Sequence, residues 1–337
     1  MSIINSNPKL RTLSRWLPGL IISTIAILLL IRFSNWSEVL EVISDIRFGW
    51  VLPAIVFFLI SVAIRAASWM IILQNKVNYG RVFLTLNEGY LLNNIFPFRL
   101  GEFGRAYILS QTTILSGFFV LSTILVERTY DVAIAAGLFL ATIPYVFSIE
   151  AGQVIALLVF FIGVFGLFSM YILARNHIRI KKFFETVTAG KLFLHDRVVP
   201  RIGSLIDGLG IFTSFGQFSL SFGLMLLSWI FGGLELIFLS KSFGVDIELW
   251  MVGFILGMTS LGIAIPSAPA GLGVYEAAAV GAFSLIGLST STGLAIAFVS
   301  HFISIIITGL IGMLGIFKDG ESISGLYQQL KNLRIFK

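Results

Sequence analysis

Pro97-Phe98-Arg99-Leu100-Gly101-Glu102-Phe103-Gly104-Arg105-Ala106 breaks an apolar region in the first half of the chain, and Pro269-Ala270-Gly271-Leu272-Gly273-Val274-Tyr275-Glu276-Ala277-Ala278 breaks another in the second half. Both fit Pro-x-x-Leu-Gly-x-aromatic-x-x-Ala, and both carry charge where lipid tolerates little. Pro and Gly breaks at corresponding places in two halves of a membrane protein point to broken helices around a substrate site. In a chain rich in Leu, Gly and Ala the match alone carries little weight. Its meaning depends on topology.

The 337 residues are 57% hydrophobic and 12% charged, with mean hydropathy +0.97. A soluble domain carries about 25% charged residues. The composition therefore reads as an all-α, polytopic integral membrane protein. With no cysteine there is no disulfide framework and no thiolate metal site, and His177, His195 and His301 are too scattered to suggest a metal cluster. No cofactor or metal is expected. The net charge of +6 lies between apolar runs, where it sets topology and meets anionic headgroups rather than nucleic acid.

Apolar runs of spanning length occupy Leu17–Ile31, Trp50–Leu73, Ile114–Ile143, Gln153–Leu173, Phe218–Phe243 and Thr292–Phe317. Lys9, Arg11 and Arg15 precede the first. A signal peptide would share that pattern, but no small-x-small cleavage site follows Ile31, so an uncleaved anchor is expected. Basic flanks place both termini in the cytoplasm. Lys76 and Arg81 sit inside, and the loop from Pro144 to Gly152 has no Lys or Arg and sits outside. Both ends of Val82–Leu109 then fall on the cytoplasmic face, and both ends of Leu249–Leu288 on the opposite one. Each region enters and leaves by one face, as a re-entrant hairpin. The alternative for the second is two short spans, Leu249–Ile265 and Gly271–Leu288, accommodated by tilt and thinning.

Each half then reads crossing, broken hairpin, crossing, with directions opposed. The expectation is a single membrane domain over 1–337. It holds a first half-repeat at 50–143, a cytoplasmic connector at 176–215 and a second half-repeat at 218–317, in an inverted repeat. In the connector, Ile178, Phe183, Phe184, Val187 and Leu192 recur near helical spacing beside Lys and Arg, as in an amphipathic helix on the leaflet surface. A structured loop with a topological charge fits equally.

An ionised side chain at the centre of a membrane helix costs at least about 2.5–3.5 kcal/mol. Arg65, Glu127, Arg128, Asp131, Glu235 and His301 lie within spans, and Glu88, Arg99, Glu102, Arg105 and Glu276 lie on the broken regions. Glu127 and Asp131 share a helix face, Arg128 pairs with Asp131 at i,i+3, and Arg65 can neutralise Glu127 from the neighbouring span. One reading is a buried ion-pair network that fixes register. The other is a polar cavity for a charged headgroup. Arg99 and Arg105 favour the cavity, because guanidinium forks grip phosphate. Gly101 and Gly104 allow close approach, and a helix starting after Pro97 would aim free N–H groups at an anion. Asn93 and Asn94 cap the turn or bind the ligand. In the second copy Gly271 and Gly273 give the same approach without arginine, and Glu276 serves as partner to an arginine of the first copy, as a ligand or as a proton carrier. The expected substrate-binding set is thus Arg65, Asn94, Arg99, Gly101, Glu102, Arg105, Glu127, Arg128, Asp131, Gly271, Gly273 and Glu276. The chain has no Walker A, HExxH or GxSxG motif, and no catalytic residue is assigned.

The strings Asn94-x-x-Pro97-x-Arg99-x-Gly101-Glu102-x-x-Arg105, Glu127-Arg128-x-x-Asp131 and Pro269-x-Gly271-x-Gly273-x-x-Glu276 resemble, in order, the lysylphosphatidylglycerol synthase transmembrane region, the flippase-like domain. The resemblance implies a multi-pass protein of the cytoplasmic membrane. In the fullest members such a domain translocates aminoacylated phosphatidylglycerol and is joined to a cytosolic aminoacyl-transferase domain. A stand-alone member without that domain is expected here. The expected function is translocation of an anionic, modified or polyprenyl-linked lipid headgroup, with membrane phospholipid as partner. Two alternatives remain. One is an intramembrane lipid-headgroup enzyme using Glu127 or Asp131 as base or metal ligand. The other is a membrane partner that recruits a lipid-synthesising enzyme through the basic stretch from Arg175 to Arg201.

Overall fold

The computed structural model describes residues 21–32, 34–96, 100–146, 150–188, 192–264 and 267–331. Pro97, Phe98, Arg99, Pro266, the N-terminal basic flank and the tail beyond 331 lie outside the described residues.

Helices dominate, as a chain needs when no water is available to satisfy its backbone. They are α1 (Ile21–Arg32), α2 (Trp36–Ser44), α3 (Phe48–Ile72), α4 (Tyr79–Ile95), α5 (Leu100–Thr112), α6 (Gly117–Val146), α7 (Glu150–Arg175), α8 (His177–Thr188), α9 (Leu192–Gly208), α10 (Phe215–Ser242), α11 (Leu249–Ile263), α12 (Val274–Leu285), α13 (Thr290–Lys318) and α14 (Ile323–Lys331). Among the described residues α3, α6, α10 and α13 are each long and apolar enough to cross a membrane. The chain is a multi-pass membrane protein. Leu157, Phe161, Phe165 and Phe168 of α7 and Phe302, Leu310 and Leu314 of α13 face outward, as a lipid-exposed surface requires. At Asn176 the chain turns by 73° from α7 into α8. The connector is helical, as its periodicity predicts; α8 packs on α9, and α9 leans on α6.

The two broken regions are hairpins. The arms α4, α5, α11 and α12 have 17, 13, 15 and 12 residues. At 1.5 Å per residue these are about 26, 20, 22 and 18 Å, short of a ~30 Å hydrocarbon core. The two-span reading of Leu249–Leu288 therefore gives way to the re-entrant one. The arms of each hairpin pack on each other.

The starts of these helices are written in the sequence. Asn78 accepts the Arg81 N–H at 2.9 Å, and Ser289 accepts the Thr292 N–H at 3.1 Å. Gly273 starts α12 at φ +83, a conformation that favours glycine, and Glu276 reaches back to its N–H at 2.7 Å.

The most extensive helix-on-helix contact is that of α3 with α10. Ser61 Oγ donates to Ser228 O at 2.9 Å and Ser228 Oγ donates to Ser61 O at 3.0 Å. Ser68 Oγ donates to Ser221 O at 2.7 Å, so the two helices run in opposite directions. Small polar residues at the contact let the backbones approach. Around this crossing α4 packs on α13 and α6 packs on α11. Each hairpin's first arm thus rests on the closing span of the other half.

Candidate functional site

The polar residues of the first half converge on one network. Arg65 of α3 grips Asp131 of α6 as a fork, with Nη2 to Oδ1 at 2.7 Å and Nη1 to Oδ2 at 2.9 Å. Glu127, fully buried, receives Arg105 Nη2 at 2.7 Å, Arg128 Nη2 at 2.9 Å and Arg65 Nη1 at 3.1 Å. Trp229 of α10 donates its indole N–H to Asp131 at 3.1 Å. The Arg105 guanidinium lies 3.8 Å from the centroid of the Trp69 ring, a cation–π contact that helps hold a charge away from water. Arg65, Arg105 and Arg128 against Glu102, Glu127 and Asp131 leave the group formally neutral.

A cavity of about 350 Å³ lies beside this network. Asn93, Asn94, Glu102 and Arg128 line one wall. Ala268, Ala270, Gly271, Tyr275 and His301 line the other, with Glu235 of α10 between them. The chamber is therefore shared by both hairpins. Its edge is loosely tied. Glu102 Oε1 stands 3.6 Å from Arg128 Nε, too far for a hydrogen bond, and that Nε has no other partner.

The expected site residues divide by position. Asn94, Glu102, Arg128 and Gly271 line the chamber. Arg65, Glu127 and Asp131 stand behind it in the ion-pair network. Arg105 also lies behind, 1% exposed and committed to Glu127 and Trp69. Gly101 is a packing residue. A Cβ there would lie 2.0 Å from the Gly89 carbonyl oxygen, and its own N–H donates to Asn93 at 2.8 Å. Gly273 faces α1, where a Cβ would lie 2.7 Å from Ile27. Arg99 lies outside the described residues.

Glu276 corrects one expectation. Among the described residues its ion-pair partner is not Arg105 of the first copy but His301, with Oε1 at 2.6 Å from Nδ1. The first turn of α12 brings the acid to face α13, while Arg105 and Arg128 are committed to carboxylates of the first half. Several chamber residues are absent from the expected set: Glu235, Tyr275, Ser300 and His301. Glu235 and His301 carried the available signal, an ionisable group inside an apolar span. Tyr275 and Ser300 carry no comparable signal.

A sequence model of the lysylphosphatidylglycerol synthase TM region matches residues 16–312. The chain belongs to that family. As a member of the lysylphosphatidylglycerol synthase TM region family it is a multi-pass membrane protein of a lipid-related kind. It is also similar to the UPF0104 membrane protein MJ1595 of Methanocaldococcus jannaschii, 24% identical over 311 residues that cover 87% of this chain and 91% of the relative.

Proposed function

We propose that this protein moves a lipid headgroup across the membrane through the chamber between the hairpins, while the acyl tails stay in lipid. The observation that carries this reading is the chamber itself, about 350 Å³, walled by both broken helices and lined by Asn94, Glu102, Arg128, Gly271 and His301. A headgroup phosphate fits the Glu102–Arg128 edge. Displacing Glu102, which holds Arg128 at 3.6 Å, exposes an arginine Nε that has no hydrogen-bond partner. The remaining arginines keep their carboxylates and hold the wall rigid.

The same reading takes the molecule as two inverted half-repeats in the cytoplasmic membrane, with both termini in the cytoplasm. The opposed crossing of α3 and α10, and the exchange of α4 onto α13 and α6 onto α11, support the repeat. Transport rather than bond-making fits the acids. Glu127 and Asp131 spend their oxygens on three arginines and Trp229. Acting as a base or a metal ligand would require breaking those contacts.

The experiment is reconstitution in vesicles of phosphatidylethanolamine and phosphatidylglycerol carrying a fluorescent phosphatidylglycerol, with leaflet exchange read by quenching from outside. Exchange above protein-free vesicles, lowered about tenfold in Arg128→Ala, is expected. Vesicles that show no exchange with this lipid, with an aminoacylated one or with a polyprenyl phosphate overturn the reading.

A further inference from the structure

The second hairpin tip carries a polar assembly at the chamber wall, away from the Glu102–Arg128 edge assigned to the phosphate. His301 of α13 places Nδ1 2.6 Å from Glu276 Oε1 and Nε2 3.0 Å from the Ala270 carbonyl oxygen. Glu276 Oε2 accepts the Gly273 N–H at 2.7 Å. The Tyr275 ring lies 4.6 Å from the imidazole. Both Glu276 and His301 are largely buried, 2% and 13% exposed, and among the described residues no Lys or Arg lies within ion-pair distance of Glu276.

Counting protons over these contacts gives a definite answer. A carbonyl oxygen has no proton to offer, so Nε2 carries a hydrogen and donates to Ala270. A neutral imidazole then has a bare lone pair at Nδ1, facing a carboxylate oxygen at 2.6 Å. Two lone pairs do not sit at that distance in a site of low dielectric. One further proton lies between them, on the ring or on the acid. With it the pair is neutral; without it a buried negative charge has no cation beside it among the described residues.

Removing that proton leaves one N–H for two acceptors, so either the Glu276 contact or the Ala270 contact is lost. Both fix the hairpin tip to α13. Ala270 sits at φ +58 in the turn Pro269–Gly271, a conformation an alanine holds only when its surroundings impose it. Among the described residues, the charged and titratable groups facing the pair are Tyr275 on its own hairpin and Glu235 of α10, reached through Ser300 at 3.0 Å. Across the chamber stand Tyr90, Glu102 and Arg128. The described stretch of α11 contributes none.

We propose that Glu276 and His301 form a proton-binding site at the chamber, and that loading and unloading this proton ties and frees the tip of the second hairpin. The coupling ion for headgroup movement is then a proton, an assignment that rests on the transport reading above. The balance is one proton, taken from chamber water onto the Nδ1–Oε1 pair and returned to water on the other side. If one proton moves per headgroup, a gradient of one pH unit shifts the steady-state leaflet ratio about tenfold.

Two measurements on the full chain decide this. The first is nuclear magnetic resonance of isotope-labelled histidine at neutral pH in nanodiscs, with His301 assigned by its loss in His301→Gln. The expected signal is an imidazole protonated at Nε2 with a second proton at or shared by Nδ1. That second proton disappears in Glu276→Gln, whose amide still accepts the Gly273 N–H. A neutral ring with a single N–H beside a Glu276 side chain whose carboxyl carbon shift is that of an ionised carboxylate overturns the proposal whatever the transport result. The second measurement imposes a pH gradient on the vesicles described above. A leaflet ratio that follows the gradient in the native protein and ignores it in Glu276→Gln is expected. Exchange that is active but indifferent to the gradient overturns the coupling and leaves the transport reading standing. Vesicles without any exchange overturn both the transport reading and the coupling, and the resonance experiment then reports on the proton site alone.

Discussion

The first hairpin reaches the chamber backed by three arginines and three carboxylates, whereas the second brings one carboxylate, backed by a histidine of α13. The first is held by charge. Arg65, Arg105 and Arg128 all converge on Glu127, and the helices that carry them cannot separate without exposing buried ions. The second is held by a turn with positive φ at Ala270, Gly271 and Gly273 and by a pair that one proton makes or breaks. The lesson is that a near-repeat of sequence has been given two kinds of anchor, a charge network in the first half and a neutralisable pair in the second.

The largest test of that division is truncation of the central acid on each side. Glu127→Ala leaves buried guanidinium groups uncompensated and is expected to cost ~3–5 kcal/mol. Glu276→Ala loses a helix cap and one histidine contact and is expected to cost ~1–2 kcal/mol. Denaturant titration in detergent measures both. Equal losses would break the comparison, because they would make the second tip as rigid as the first.

The glycines sharpen it next. At Gly101 an added methyl meets the Gly89 carbonyl oxygen at 2.0 Å, a backbone atom with nowhere to go. Gly101→Ala should cost ~1–3 kcal/mol through overpacking. At Gly271 the nearest atom would be Ser267 Oγ at 3.8 Å, so space is open and only the φ of +74 resists. Gly271→Ala should cost ~1–2 kcal/mol. A double substitution that adds the two losses would show that the tips are independent. A smaller combined loss would show that they press on each other through the chamber.

Transport separates the two residues at the chamber edge. Glu102→Gln removes the competitor for Arg128 without removing volume, and it should raise exchange of fluorescent phosphatidylglycerol several-fold at low substrate. Arg128→Ala should lower exchange about tenfold, the worth of one charge-assisted contact. Exchange unchanged in both would place the phosphate elsewhere and end the role assigned to this edge.

The hairpins themselves were legible from the chain. Pro97, Pro269 and the paired glycines mark the breaks, and the short arms α4, α5, α11 and α12 follow from them. The pairing of Arg65 with Glu127 and of Arg128 with Asp131 followed from helical spacing and neighbouring spans. What stayed hidden depends on contacts between distant helices. Arg81 joins Glu88 at 3.0 Å and Asp319 at 2.6 Å, tying α4 to the end of α13. Charge alone marked Arg81 as a topology signal, and nothing local points 238 residues ahead. Trp69 reads as a core aromatic, and its use as a platform for Arg105 appears only when α3 and α5 meet. His301 stood out as an ionisable group in an apolar span, but whether it faced the chamber depended on how α13 is rotated against α12.

The smallest effect probes the strain itself. Ala270 pays a left-handed conformation of about 1–2 kcal/mol that glycine would not, while glycine costs about 0.5–1 kcal/mol more backbone entropy on folding. The two terms nearly cancel, so Ala270→Gly should change stability by less than about 1 kcal/mol. Ala270→Val keeps the strain, and its branched side chain worsens it, so it should destabilise by more than the glycine variant. The informative readout is therefore hydrogen exchange at the Pro269–Gly271 turn and at Gly273. If the turn is held against its own preference by His301, Ala270→Gly relaxes it and exchange there loses its dependence on pH while global stability stays put. If Ala270→Gly leaves the pH dependence intact, the strain at Ala270 is a packing detail of the tip, and the mobility of the second wall must come from the Glu276–His301 contact alone.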